Sequence, residues 1–170
     1  MKIIKHYTPW NYFEVHDFLL QNDFKKLKLY AESLPVTTDR NMTVLRNGNI
    51  YNILSSAMLE LCNHIDYKIP SSYDITVQLD SIIPNWKYNK IHNDNSKKFV
   101  TFVLAISDNG TGTHLYSQNK KDYIKTTDWI QNGGNGFIRT DNSWHDFDSV
   151  ELTDIRRTAI IMLAEKDWDM

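Results

Sequence analysis

The sequence predicts an α+β fold in which a helical first part covers one sheet of an antiparallel sandwich or jelly roll. Three observations predict it. Apolar residues recur at helical spacing up to about residue 70, the period changes to two from about residue 73, and the later segments leave no room for the crossover helices that a doubly wound sheet needs. With 170 residues, 41% of them apolar, the chain is long enough for one core and short for two ordinary domains. A single domain over 1–170 is expected, helical to about 70 and β-rich over about 73–165.

The first helix is expected within HDFLLQNDFKKLKLYAESL, where Phe18, Leu19, Phe24, Leu27 and Tyr30 fall at roughly helical spacing and Pro35 closes the run. A second helix is clearer. Ile53, Leu54, Ala57, Met58, Leu61, Cys62 and Ile65 form one apolar stripe in steps of one, three and four. Both stripes need a surface to cover. Beyond them DITVQLDSII, KKFVTFVLAIS, THLYS, GNGFIRT and RRTAIIMLA are short, rich in β-branched or aromatic residues, and separated by Asn, Gly and Asp, the pattern of strands joined by turns.

Nineteen Lys and Arg against 21 Asp and Glu give a net charge of −2, so no overall field draws nucleic acid or an anionic membrane. No nucleic-acid or membrane partner is expected. The start has no apolar run of signal-peptide length and no segment approaches a membrane span, which predicts a soluble, cytoplasmic protein. Cys62 is the single cysteine, which excludes an internal disulfide and any multi-cysteine metal site. A bound metal would have to use histidines and carboxylates.

The stretch IHNDNSKKF, residues 91–99, supplies two such ligands. On a strand, residues i and i+2 share a face, so His92 and Asp94 would present an imidazole and a carboxylate together. A third must come from downstream, where His114 and His145 are the choices. His145 follows an Asn/Gly-rich turn and the strand GNGFIRT, in a region where a jelly roll folds back over its starting strand. Two imidazoles and one carboxylate on one face, with positions left open, are the ligand set of non-haem Fe(II) oxygenases. His64-Ile65-Asp66 has the same spacing but no strand pattern after it. Arg156 and Arg157 lead into the apolar strand TAIIMLA, and a buried guanidinium matches a carboxylate in two hydrogen bonds. Either could bind an anion. Alternation puts Arg156 with Thr158, whose hydroxyl could serve the same carboxylate, and this favours Arg156.

In order, IHND, KKFVTFVLAIS, GTGTHLYS, NGGNGFIRT, NSWHDF and RRTAIIML resemble the iron- and 2-oxoglutarate-dependent dioxygenase superfamily, in particular its compact prolyl-hydroxylase-like members of phages and bacteria. The resemblance covers about residues 73–165 and more loosely YTPWNYFEVHDFL at the start. It implies a double-stranded β-helix with N-terminal helices on one sheet, Fe(II) held by His92, Asp94 and His145, and 2-oxoglutarate bound by Arg156 with Thr158 and Thr101. O2 would be the oxidant, succinate and CO2 the co-products. Relatives that halogenate lack the carboxylate, so Asp94 implies hydroxylation. Two cosubstrate-binding tyrosines of relatives fall on Ala105 and near Ile82 and Ile83 here, so Gln78, Tyr88, Tyr116 or a water would have to replace them. The resemblance further implies a peptidyl or amino-acid substrate, prolyl-like or another small molecule, met by the loops 84–90, with Trp86, Lys87, Tyr88 and Lys90, and 117–134. The alternatives are a cupin-like metal protein without oxygenase activity and a ligand-binding β-sandwich.

Overall fold

Alternating residues with one apolar and one polar face give the chain its strands, and two amphipathic stripes give it its helices. The computed structural model describes residues 1–150 and 152–168, and of residues 87–89 the backbone alone. In order these residues form β1 (Lys2–His6), β2 (Tyr12–His16), α1 (Gln21–Ser33), β3 (Arg40–Leu45), α2 (Asn49–His64), β4 (Asp74–Ile82), β5 (Lys87–His92), β6 (Lys98–Ala105), β7 (His114–Tyr116), β8 (Tyr123–Thr126), β9 (Gly134–Ile138), β10 (His145–Asp148) and β11 (Arg156–Ala164). A seven-stranded sheet runs β1-β2-β9-β6-β11-β4-β3 and a four-stranded sheet runs β5-β10-β7-β8; neighbouring strands pair antiparallel in both. No helix among the described residues is long and apolar enough to cross a membrane.

The two faces of the large sheet do different work. Val77 and Leu79 of β4, Val100, Phe102 and Leu104 of β6, and Ala159, Ile161 and Leu163 of β11 pack with α1 and α2 in the main apolar core. Leu54, Met58, Leu61 and Cys62 of α2 are fully buried there, and each large apolar side chain so buried stabilises the fold by roughly 1.5–3 kcal/mol. The intervening residues of the same strands include Gln78, Asp80, Thr101, Thr158 and Arg156, which are buried and polar, beside the apolar Val103, Ile160 and Met162. A sheet face with this composition is unsuited to a hydrophobic seam. It is suited to a site.

Three sequence expectations change. The first part is not purely helical, because β1, β2 and β3 precede or interrupt its helices. Helix α1 begins at Gln21, since the residues before it are held elsewhere: the Phe18 amide donates to the Asn132 carbonyl at 2.8 Å, and the Asn132 side chain takes the Leu19 amide at 3.0 Å while donating to its carbonyl at 2.9 Å. The expected loops 84–90 and 117–134 each contain a strand, the start of β5 and all of β8. The side chains of Lys87 and Tyr88, expected to meet substrate, lie outside the described residues.

Candidate metal centre

β5 ends at His92 and β10 begins at His145, and the antiparallel register sets these two residues directly opposite each other. Their ring centroids are 4.4 Å apart. The His92 Nδ1 lies 3.1 Å from the Lys90 carbonyl and the His145 Nδ1 2.8 Å from the Ser143 carbonyl. A carbonyl only accepts, so in both rings Nδ1 carries a hydrogen, which leaves Nε2 as the nitrogen through which a neutral imidazole would bind a metal. Asp94 joins them, and one ligand atom from each of the three residues lies within 4.8 Å of the others.

Asp94 reaches this place from the turn after β5, where a strand continuing past His92 had been expected to carry it. Asn93 ties that turn to the β9–β10 connection: its amide donates to the Thr140 carbonyl at 2.8 Å and its oxygen accepts from Ser143 Oγ at 2.8 Å. Ser143 also orients His145, so one connection positions two of the three groups. The Asp94 carboxylate is buried, with Lys98 Nζ on Oδ1 at 2.6 Å and Thr101 Oγ1 on Oδ2 at 2.7 Å. Burial pushes its pKa up, but the Lys98 and His145 charges and the two hydrogen bonds outweigh it and hold the group below the usual carboxylate value. Burial pulls His145 down to about 4 against the pull of Asp94. At neutral pH the pair is therefore a carboxylate and a neutral imidazole.

These residues close one end of a cavity of about 220 Å³ between the two sheets. Thr113 and Phe147 line it from the small sheet; Gln78, Val103, Ile160, Met162, Arg40 and Arg156 line it from the large one. Arg156 is 2% exposed, with Nε donating to the Thr111 carbonyl at 3.0 Å and its guanidinium 4.7 Å from the Phe147 ring centroid and 5.1 Å from that of Trp129. Burial draws its pKa down to about 10 while Asp80 opposes the fall and Arg40 adds to it, so it keeps its charge at pH 7. Among the described residues it forms no ion pair. Arg157 alternates to the other face, where its amide meets Ser107 Oγ at 3.0 Å. Thr158 is fully buried and its Oγ1 has no hydrogen-bond partner. Thr101 lines the cavity, but its hydroxyl is given to Asp94.

His114, the other histidine the sequence offered, alternates to the opposite face of the small sheet, with Nδ1 3.0 Å from Asp146 Oδ1. Tyr116 is there too, donating to Asp146 Oδ2 at 3.0 Å, and so is not among the cavity-lining residues. The bond to Asp146 holds the His114 pKa up, against burial. A raised histidine pKa favours folding below the unfolded value of 6.5, and that contribution is lost as pH rises through the folded value. Urea unfolding of wild type and His114→Gln at pH 6 and pH 9 should show a wild-type advantage of up to about 1 kcal/mol at pH 6 that shrinks at pH 9. An advantage equal at both pH values would show that the pair is not charged.

Sequence reasoning missed Lys98 as a partner of Asp94, although the i+4 spacing was a signal, missed Asp80, although its alternation with Gln78 on the expected strand DITVQLDSII was one, and missed Arg40, for which there was none once β3 was overlooked.

No protein-family model matches the chain, and no curated protein matches it in sequence. Its fold is that of solved prolyl hydroxylases. A Pseudomonas putida prolyl-4-hydroxylase superposes with a TM-score of 0.66 at 11% identity, over 91% of this chain and 92% of that one. The viral collagen prolyl hydroxylase of Paramecium Bursaria Chlorella virus-1, in its 2-oxoglutarate complex, gives 0.62 at 15% identity over 91% and 96%. A Trichoplax adhaerens prolyl hydroxylase in complex with a hypoxia inducible factor oxygen degradation domain peptide fragment gives 0.65 at 16% over 91% and 83%.

Proposed function

We propose that the chain is a single Fe(II)- and 2-oxoglutarate-dependent dioxygenase domain over residues 1–170, a double-stranded β-helix that hydroxylates a peptidyl or amino-acid substrate of prolyl-like type. One observation carries this reading: two imidazoles, both with Nδ1 committed to backbone carbonyls, converge with a buried carboxylate at one end of a cavity that also holds a buried arginine. The donor set fits Fe(II), and Arg156, which lines the cavity and forms no ion pair among the described residues, fits a carboxylate, with the unpartnered Thr158 hydroxyl two residues on along β11. The likeness to prolyl hydroxylases, one bound to 2-oxoglutarate and one to a peptide, supports the same assignment.

His92 and His145 would hold the metal through Nε2 and Asp94 through one oxygen, while Lys98 or Thr101 keeps the other oxygen oriented. Bound there, Fe(II) supplies the redox chemistry that couples oxidative decarboxylation of 2-oxoglutarate by O2, giving succinate and CO2, to hydroxylation of a C–H bond. Arg156 pairs with the distal carboxylate of the cosubstrate. Val103, Ile160 and Met162 form an apolar wall that limits water between that carboxylate and the metal ligands. Retention of Asp94 fits hydroxylation.

The test is anaerobic titration of the protein with Fe(II) and 2-oxoglutarate, reading the weak visible charge-transfer band of the chelate. A saturable band that EDTA removes is expected, followed by succinate release on admission of O2 in a peptide and amino-acid screen. Folded protein that binds Fe(II) without a band would return the cupin-like reading, and folded protein without metal affinity the binding sandwich.

A further inference from the structure

Two arginines of the cavity approach one ring, and one of them is bonded to a buried carboxylate. Arg156 of β11 and Arg40 of β3 are both in register with Ile82 of β4, so their backbones flank one residue of the large sheet. Both side chains line the cavity, and Phe147 of the opposite sheet receives both, with guanidinium carbons 5.5 Å (Arg40) and 4.7 Å (Arg156) from its centroid. Asp80, two residues before Ile82 and on the same face, is 1% exposed. Its Oδ2 accepts from Arg40 Nε at 3.2 Å and Nη2 at 2.6 Å, and its Oδ1 from Gln78 Nε2 at 2.9 Å. It is also opposite Thr158 in the ladder, one alternation from Arg156. Asp80 is thus bonded to Arg40, whereas Arg156 has the Thr111 carbonyl and, among the described residues, no ion pair, so a guanidinium charge stays buried without a bonded carboxylate, an arrangement that is costly until an anion arrives.

We propose that Arg40 is the second arginine of the cosubstrate-anion subsite, and that Asp80, by holding Arg40, sets how strongly the cavity prefers a dicarboxylate to a monocarboxylate. The inference rests on the dioxygenase reading. It accounts for a subsite in which, by the resemblance, the tyrosine positions of relatives fall on Ala105 and near Ile82 and Ile83, none of which offers a hydroxyl. Arg40 supplies charge in place of those hydrogen bonds, and Asp80 moderates it.

The experiment compares Kd for 2-oxoglutarate and 2-oxopentanoate, which lacks the distal carboxylate, on anaerobic Fe(II)-loaded protein by titration of the visible band. The ratio cancels general damage to the site. Asp80→Asn removes the competing charge and keeps an acceptor for Arg40; it should raise the preference for 2-oxoglutarate about tenfold, as unscreened charge in a buried site predicts. Arg40→Gln alone leaves Asp80 buried without its partner, so Arg40→Gln/Asp80→Asn carries the second arm and should return the preference to the wild-type value or below. An unchanged or lower ratio in Asp80→Asn, or a double variant equal to Asp80→Asn, overturns the proposal. Folded wild type that binds neither keto acid overturns the dioxygenase reading and this inference with it, whereas wild-type binding with a ratio insensitive to both variants overturns this inference alone.

Discussion

His145→Ala is expected to lower Fe(II) affinity by two to three orders of magnitude and to abolish the visible band formed with 2-oxoglutarate, with the near-UV circular dichroism unchanged. A four-ligand structural zinc site contributes roughly 10–16 kcal/mol, or about 2.5–4 kcal/mol per ligand, which sets this scale for the loss of one imidazole. His145 is well prepared for the role: burial keeps it neutral, with a pKa of about 4, and Ser143 fixes its tautomer. Its removal leaves His92 and Asp94, and Asp94 keeps Lys98 and Thr101. The fold survives because β10 still pairs with β5 and β7, and the packing lost is chiefly against Phe137, 4.8 Å away. Isothermal titration with Fe(II) under anaerobic conditions measures the effect. A folded variant with wild-type affinity would remove His145 from the ligand set.

The grouping of His92, Asp94 and His145 was legible because the order of polar motifs and apolar strands is itself topological information. An antiparallel strand that returns over β5 brings its first inward residue to the partner of His92. The two helices were legible for a simpler reason, since the stripe from Ile53 to Ile65 has one period and one surface to meet. The choice between Arg156 and Arg157 followed from period-two alternation, and Arg156 does line the cavity. What the sequence hid is where the apolar side chains are not the buried ones. β3 is the edge of its sheet, and Met42 and Val44 on its cavity-side face are 59% and 42% exposed, so its strand signal is weak. Tyr123 and Ile124 of β8 are likewise exposed. Arg40 was lost with β3, and with it the partner of Asp80, a residue of the expected strand β4. The end of β5 at His92 was hidden for another reason, because it depends on bonds from Asn93 to Thr140 and Ser143, residues that become neighbours only in the folded chain.

Arg156→Met is expected to weaken 2-oxoglutarate binding about 100-fold or more while leaving Fe(II) affinity unchanged in the absence of cosubstrate. Truncating one partner of a buried hydrogen-bonded charge pair typically costs about 2–5 kcal/mol, and about 2.8 kcal/mol of that range already corresponds to 100-fold. Methionine keeps an unbranched side chain against Phe147 and Trp129, so the substitution removes charge with little change of packing. It also removes the bond to the Thr111 carbonyl, a loss that would act on stability and not selectively on one ligand. Arg156→Lys should fall between, since it keeps the charge without the planar fork. Arg157→Met supplies the contrast: its side chain is on the other face of β11, so it should change the unfolding midpoint and leave both dissociation constants alone. The measurements are the Fe(II) titration and the 2-oxoglutarate titration of the Fe(II)-loaded protein for all three variants. Parallel losses of Fe(II) and 2-oxoglutarate affinity in Arg156→Met would mean that this arginine holds the cavity together, and the anion would then have to be sought at Arg40. A selective loss places the distal carboxylate at the end of β11 and fixes the direction in which the cosubstrate lies between Arg156 and the histidines.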